Sequence, residues 1–255
     1  MLVLLSALVF LVASVTPPVH RLHRVELDLP TREQAVLVLR GEGCSALLPP
    51  LSTQRLRIAG LEIPVASAPD YAVTPTASRA IVTVMLARVG EGILGIDSST
   101  VEVRWEGLDA KGRLAVALEG TIDLADGEQA VFPTEKLRRH YARLADYGLA
   151  PEGMLVRVWV LLGVYNPFSF EVVASGLEYR LEVGETTILS SRRGGFRLRP
   201  GQANEVLVEQ TLPMLDLASG LAAMLARQPA TLTGVLAIRT PGGERGIPIL
   251  LHSGR

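Results

Sequence analysis

The sequence predicts a mainly β protein: two tandem β-sandwich or barrel domains, each antiparallel, with a helical connector and a second helix late in the second domain. Three observations carry that prediction. Short β-branched and apolar runs with period-2 alternation recur along the chain, and that period puts alternate side chains on opposite faces of a strand. Turn residues separate the runs at regular intervals: Pro49-Pro50, Gly90, Gly112, Gly127, Gly184, Gly194-Gly195, Pro200-Gly201 and Pro241-Gly242-Gly243. Spacing of this kind belongs to sandwiches and barrels. The pattern also returns at a nearly constant offset, which marks an internal repeat.

Residues Met1 to Val15 are almost wholly apolar, and Thr16-Pro17-Pro18 ends the run. Its length suits the core of a signal peptide better than a spanning helix, which needs about 20 apolar residues. Residues 1–19 are therefore expected to be a signal peptide or membrane anchor, which puts the protein in the cell envelope. No Lys or Arg precedes the run, and His20, Arg21, His23 and Arg24 follow it, a bias that favours an uncleaved anchor. A buried N-terminal helix or strand is the other reading.

Strands are expected at 24–29, 35–40, 54–65, 80–86, 100–106 and 113–124 in the first half. The second half offers 154–164, 170–183, 186–199, 205–211, 231–240 and 246–251. Gly107 to Gly112 and Pro241 to Glu244 read as hairpin loops, where glycine takes positive φ without steric cost. Two segments break the alternation. From Pro133 to Leu149, Leu137, Tyr141, Leu144 and Ala145 fall at helical spacing, Thr134 is placed to cap, and Gly148 and Pro151 end the run. This is the expected connector, spanning 131–152. From Pro213 to Gln228, Leu215, Leu217, Leu221, Met224 and Leu225 form a broad apolar helical face.

The repeat sets the domain limits. Arg55 to Gly60 and Glu178 to Gly184 are both alternating strands that end in glycine, at an offset of 124. Pro75 answers Pro200, and Ile81 answers Val206, both at 125. The expected domains are 20–130 and 153–255, the first a diverged copy of the second.

The second domain carries a family resemblance. Val156 to Tyr165 runs into Asn166-Pro167, and Gly176-Leu177-Glu178-Tyr179 opens the next alternating stretch. Arg199-Pro200-Gly201 and Glu205 to Val208 follow, and Gly234 to Ile238 and Gly246 to Ile249 close the domain. This order resembles the group 2 late embryogenesis abundant proteins, the WHy (water stress and hypersensitive response) domain, over residues 153–254. The resemblance implies a fibronectin-III-like sandwich with a helix at one end and a non-enzymatic role in desiccation protection, exported or at the envelope in bacteria. It gives Asn166, Pro167, Gly176, Tyr179 and Pro200 as structural signature residues. The first half has Gly41-Glu42-Gly43-Cys44 where Asn166-Pro167 would map. Physically, an asparagine before proline is pushed out of the helical region, and its side chain bonds nearby main chain. Asn166 is thus expected to hold the bend between two sheets.

Composition excludes several function classes. Of 255 residues 48% are hydrophobic and the net charge is −1, so the chain can bury a core and lacks the basic excess of a nucleic-acid binder. A single cysteine, Cys44, rules out an intrachain disulfide and any multi-cysteine metal site. His20 and His23 have no carboxylate or thiol set beside them, and zinc takes three or four ligands. Asp109, Asp123, Asp126 and Glu128 match no calcium loop. Gly194-Gly195 after Arg192-Arg193 reads as a hairpin turn and not a phosphate loop. Trp105 and Trp159 read as core anchors or packing between domains. No catalytic residue, cofactor or metal is expected. The partners that fit are a membrane surface or client proteins. A lipid- or apolar-ligand-binding module and a tandem adhesive or scaffold protein are the alternatives to protection.

Overall fold

The computed structural model describes residues 17–43, 48–96, 98–133, 136, 140–214, 226, 228–241 and 243–253. The apolar run at the N-terminus, Cys44, Thr134 and the body of the helix expected over 213–228 lie outside these residues. The chain separates into two compact units. One comprises residues up to Glu26 with 37–82 and 99–130; the other comprises 27–36, 83–98 and 131–255. Among the described residues no helix is long and apolar enough to cross a membrane.

The first unit is built mainly from β1 (Val19–Asp28), β2 (Gln34–Glu42), β3 (Thr53–Ile58), β4 (Leu61–Ile63), β5 (Asp70–Val73), β6 (Ala77–Met85), β7 (Thr100–Leu108), β8 (Leu114–Asp123) and β9 (Ala130–Val131), with residues 27–28, 34–36, 83–85 and 131 of these strands counted in the second. Hydrogen bonds link them in the order β4-β3-β7-β8-β1-β2-β6-β5, with β9 on β1. The path runs through two antiparallel sets of four strands, β4-β3-β7-β8 and β1-β2-β6-β5. They join where β1 runs parallel to β8 through Val19↔Ala117, His20↔Leu118 and Arg21↔Glu119. That pair departs from the expected antiparallel pattern. No hairpin connects the first strand to the last, so nothing forces opposite directions, and the pairing covers two edges that would otherwise stand open. Leu22, Leu39, Leu56, Val82, Trp105, Val116, Leu118 and Ile122 fill the core. Trp105 donates its indole N–H to Gln54 Oε1 at 2.7 Å and stacks on Tyr71 at 5.1 Å, so its one polar atom is paired as burial requires.

The second unit holds β10 (Ala142–Glu152), β11 (Leu155–Tyr165), β12 (Val172–Val183), β13 (Thr186–Leu198), β14 (Ala203–Pro213), β15 (Ala230–Thr240) and β16 (Gly243–His252). They form a three-stranded sheet, β10-β11-β14, and a four-stranded sheet, β13-β12-β15-β16. This is a fibronectin-III-like sandwich. Val156, Val158, Val160 and Leu162 of β11 meet Leu177, Leu181, Val183, Val206, Val208 and Leu232 in its core. β10 also touches the residue just past β16 in parallel, through a single isolated bridge, Leu144↔Ser253.

Strand for strand, β10, β11, β12, β13, β14, β15 and β16 follow the hydrogen-bonded order of β1, β2, β3, β4, β6, β7 and β8. The pairs that set the sequence offset fall on matching elements. Gly60 (φ 77°) and Gly184 (φ 60°) turn the β3–β4 and β12–β13 hairpins, and Ile81 and Val206 lie on β6 and β14. Only β5 and the two-residue β9 have no counterpart among the described residues.

Three further expectations need correction. The connector helix over 131–152 gives way to strand from Ala142 onward: residues 142–152 are β10, paired antiparallel with β11 from Ala142↔Val164 to Glu152↔Leu155. Only Lys136, His140 and Tyr141 are helical among the described residues there. The spacing of Leu144, Tyr147 and Leu149 also suits an edge strand with a bulge, and the β11 ladder overrides weak local helix preference. Gly148 is no helix stop: it faces Trp159 across the ladder, and a Cβ there would lie 2.7 Å from the indole. Pro151 sits on an edge strand, where the missing N–H is tolerated.

Gly194-Gly195 makes no turn but lies within β13, Gly194 opposite Gly176. A Cβ on Gly195 would come within 2.9 Å of the Ala174 carbonyl, beside the β12 irregularity between Ala174 and Gly176. Trp159, unlike Trp105, is not a core residue. It points outward from β11, partly exposed, its flat face over the notch that Gly148 leaves.

Candidate functional site

β11 and β12 belong to different sheets, so the six residues between them must cross from one to the other. Asn166, 2% exposed, sits at the start of that crossing. Its Nδ2 donates to the carbonyls of Phe170 at 2.8 Å and Leu198 at 2.9 Å. Its Oδ1 accepts the N–H of Phe168 at 3.0 Å. The Asn166 N–H donates to the Gln202 carbonyl and its own carbonyl accepts from Gly201. One residue thus ties the end of β11 to the crossing loop, the end of β13 and the start of β14. Pro167 holds Asn166 in extended geometry, and Phe168 stacks on Phe170 at 4.9 Å.

Pro200 lies in the β13–β14 turn beside Gly201 (φ 64°), so Asn166, Pro167 and Pro200 come together at one end of the sandwich. Gly176 and Tyr179 do not join them. Gly176 is on the outer face of β12, opposite Gly194 and Ala237. Tyr179 is buried at 5% exposure, and that burial pushes its phenol above the ordinary value, offset in part by the Ser191 hydroxyl.

Sequence reasoning missed Asn204. Its side chain accepts from the Arg199 N–H at 2.8 Å and donates to the Gln202 carbonyl at 3.0 Å, closing the same turn from the other side. The signal was present as a second asparagine just past Pro200-Gly201. Beside the crossing, Tyr141 stacks on Tyr165 at 6.5 Å and Arg32 covers the Tyr165 ring at 5.8 Å. Burial pushes the Tyr141 phenol up to about 12.

The first unit solves the same crossing without asparagine. Gly43 brings its main chain so close to the β5–β6 turn that a Cβ would lie 2.2 Å from the Ala77 nitrogen and 2.3 Å from the Thr74 carbonyl. Thr74 closes that turn itself, its hydroxyl accepting from the Ala77 N–H at 3.0 Å. Direct backbone contact replaces the side-chain bridge, which is why Gly41-Glu42-Gly43 stands where the signature is absent.

The remaining candidates are structural. His20 and His23 lie three apart on a strand and face opposite sides, His20 buried and His23 exposed, so they do not converge. Among the described residues no three His, Cys, Asp or Glu side chains gather as a metal site. The loop carboxylates cap turns: Asp109 accepts from the N–H groups of Lys111 and Arg113, Asp123 from Ala125 and Asp126 from Glu128. What the site can do chemically is orient main chain. Its polar atoms face carbonyls and amides of the fold, with no acid–base pair among them.

No family model matches the chain, and no curated protein matches it. Among solved structures, a protein from Archaeoglobus fulgidus is 15% identical at a TM-score of 0.33, covering 44% of this chain and 91% of that one. A DUF4785 family protein from Legionella pneumophila is 12% identical at a TM-score of 0.33, with 88% of this chain covering 54% of that one. The I9–I11 tandem of titin is 10% identical at a TM-score of 0.21, with 91% of this chain covering 65% of that one. The chain thus spans little more than half of the Legionella protein.

Proposed function

We propose that the chain is a non-enzymatic protective protein of the water-stress type, made of two tandem β-sandwich modules derived by duplication. It acts at the cell envelope on client proteins or a membrane surface, with residues 1–19 as its export signal or anchor. The observation that supports this reading is the Asn166 hub. It stands at the position marked by the resemblance, is buried, and spends every polar atom of its side chain on the fold. A catalytic asparagine would instead leave a donor or acceptor facing a ligand. The signature therefore supports a rigid framework, with activity left to the exposed surface.

The test is to dry or freeze–thaw a labile enzyme with the full chain and with an inert protein of equal size. Greater recovery of enzyme activity with the chain is expected. Equal recovery overturns the reading.

A further inference from the structure

Edge strands expose unpaired main-chain groups, and stable proteins blunt them with short length, proline, bulges or basic side chains. Five of the six sheet edges among the described residues follow that rule. β4 has three residues and β5 four. β10 carries Pro151 and an irregularity between Leu144 and Asp146. β13 carries Arg192, Arg193 and Arg197, and β16 carries Arg245 and Pro248. β14 is the exception. It runs eleven residues, pairs with β11 without a register shift, contains no Lys or Arg, and has no proline before its last residue. Among the described residues nothing pairs with its other side.

The first unit shows what such a side accepts. There β5 pairs antiparallel with β6, from Asp70↔Ile81 to Val73↔Ser78, and β6 holds the place that β14 holds in the second unit. We propose that the free edge of β14 is a strand-addition site for an extended segment of another protein. That segment carries an apolar residue flanked two positions away on each side by Arg or Lys.

The ladder fixes which groups it would use. Asn166 N–H bonds the Gln202 carbonyl, and bonded and non-bonded pairs alternate in an antiparallel ladder. Val206, Val208 and Gln210 therefore turn their main chain toward β11. Glu205, Leu207, Glu209 and Thr211 turn theirs outward. Pro213 falls in the outward series, where its missing N–H costs the β11 ladder nothing. The side chains of that series lie on the outer face: Leu207 is 43% exposed and sits between Glu205 and Glu209. Leu161 and Trp159 are its neighbours on β11. Added main-chain bonds give affinity, and the acid–leucine–acid row selects a base–apolar–base row opposite, since unlike charges across a ladder attract and like charges repel. The site stands independently of the protective function: it rests on β14 alone.

The probe is a capped, fluorescein-labelled seven-residue peptide with threonine at the four odd positions and arginine, valine and arginine on the other face. Saturable binding to the full chain by anisotropy is expected, with the amides of Glu205, Leu207, Glu209 and Thr211 becoming protected from hydrogen exchange. Leu207→Pro removes an outward N–H without touching the β11 ladder, and should weaken binding at least tenfold. Should that variant fail to fold, the double variant Glu205→Lys with Glu209→Lys decides: it should lose the arginine peptide and gain one with glutamate in its place. Absence of binding, equal binding of a scrambled peptide, or indifference to whichever of these variants folds overturns the proposal. So does self-association of the chain through β14, seen as concentration-dependent sedimentation abolished by Leu207→Pro.

Discussion

Asn166 and His20 are both buried polar residues, but they differ in how fully they are paired, and each difference is measurable. Removing the Asn166 amide leaves two carbonyls and one N–H without partners inside the sandwich, and a buried group left unpaired costs roughly 1–3 kcal/mol. Asn166→Ala should therefore lower unfolding stability by about 3 kcal/mol in a denaturant titration. Asn166→Asp should cost more, because its second oxygen would face the Phe170 and Leu198 carbonyls in place of a donor. If aspartate is tolerated better than alanine, the two Nδ2 bonds are not what holds the crossing. His20 presents the opposite case. It is 5% exposed and its Nε2 finds no partner. Burial pulls its pKa below the ordinary value, more than the Glu42 carboxylate raises it. The folded protein then binds this proton less readily than the unfolded chain. The stability His20 contributes is complete above about pH 6.5, the ordinary histidine value, and is lost as pH falls below that toward the depressed folded value. Thermal midpoints should fall between about pH 7 and 5 in the wild type and change less in His20→Gln. Glu26 and Asp28, held low by Arg40 and Lys136, contribute to a separate loss at more acid pH. A wild-type midpoint that is flat from pH 7 to 5 would remove His20 from this account.

The strands were legible in the sequence where alternation was long and both flanks carried turn residues. Eleven of the twelve expected runs each fall on one strand, because one face of each meets a core and the period-2 pattern records it; the twelfth, 54–65, is a hairpin that Ala59-Gly60 splits into β3 and β4. β5 and β9, at four and two residues, are too short to print a period. β10 failed for another reason. It is an edge strand with one fully buried residue, Leu144, so its pattern is weak, and its glycine and proline look like punctuation. Both have long-range causes, the Trp159 indole and the open edge, which no local window contains. The Asn166 site was half legible: Asn-Pro announced a bend, while the Leu198 and Gln202 carbonyls it bonds lie more than thirty residues away. The strand assignment for β10 has a direct check. In a helix, Gly148→Val is a modest propensity change. In β10 it drives a branched side chain into the indole, and overpacking of that kind costs typically 1–3 kcal/mol. Trp159 emission should shift to the red as the ring is displaced, while the buried Trp105 stays unchanged. A variant with wild-type emission and midpoint would contradict the Gly148–Trp159 contact.

On the scale of the whole chain, matching strand order and glycine-turned hairpins at one offset are what the proposed duplication of one sandwich predicts. The two units differ where each crosses between its sheets: one uses an asparagine amide, the other a glycine pressed against a turn. They also differ at the edge strand, which β5 covers in the first unit. A cut of the sequence at residue 130 is nevertheless not the structural boundary. Residues 27–36 and 83–98 gather with the second unit. Leu94 packs against Val172, Leu198 and Ile238, and Arg32 lies over Tyr165. Both contacts come from sequence that a fragment of residues 131–255 would lack. Such a fragment should keep its two sheets but melt below the transition that unfolds the same residues in the full chain. Part of that loss should be reproduced in the full chain by Leu94→Ala, which removes a partly buried leucine at a cost of about 1–2 kcal/mol, below the 2–5 of a fully buried one. Calorimetry with hydrogen exchange read at Val172 and Leu198 separates the outcomes. Equal midpoints for fragment and full chain, with Leu94→Ala silent, would mean that the two segments add nothing and that the second sandwich is self-sufficient. A drop in both would mean that the second sandwich depends on turns contributed by the first half of the sequence.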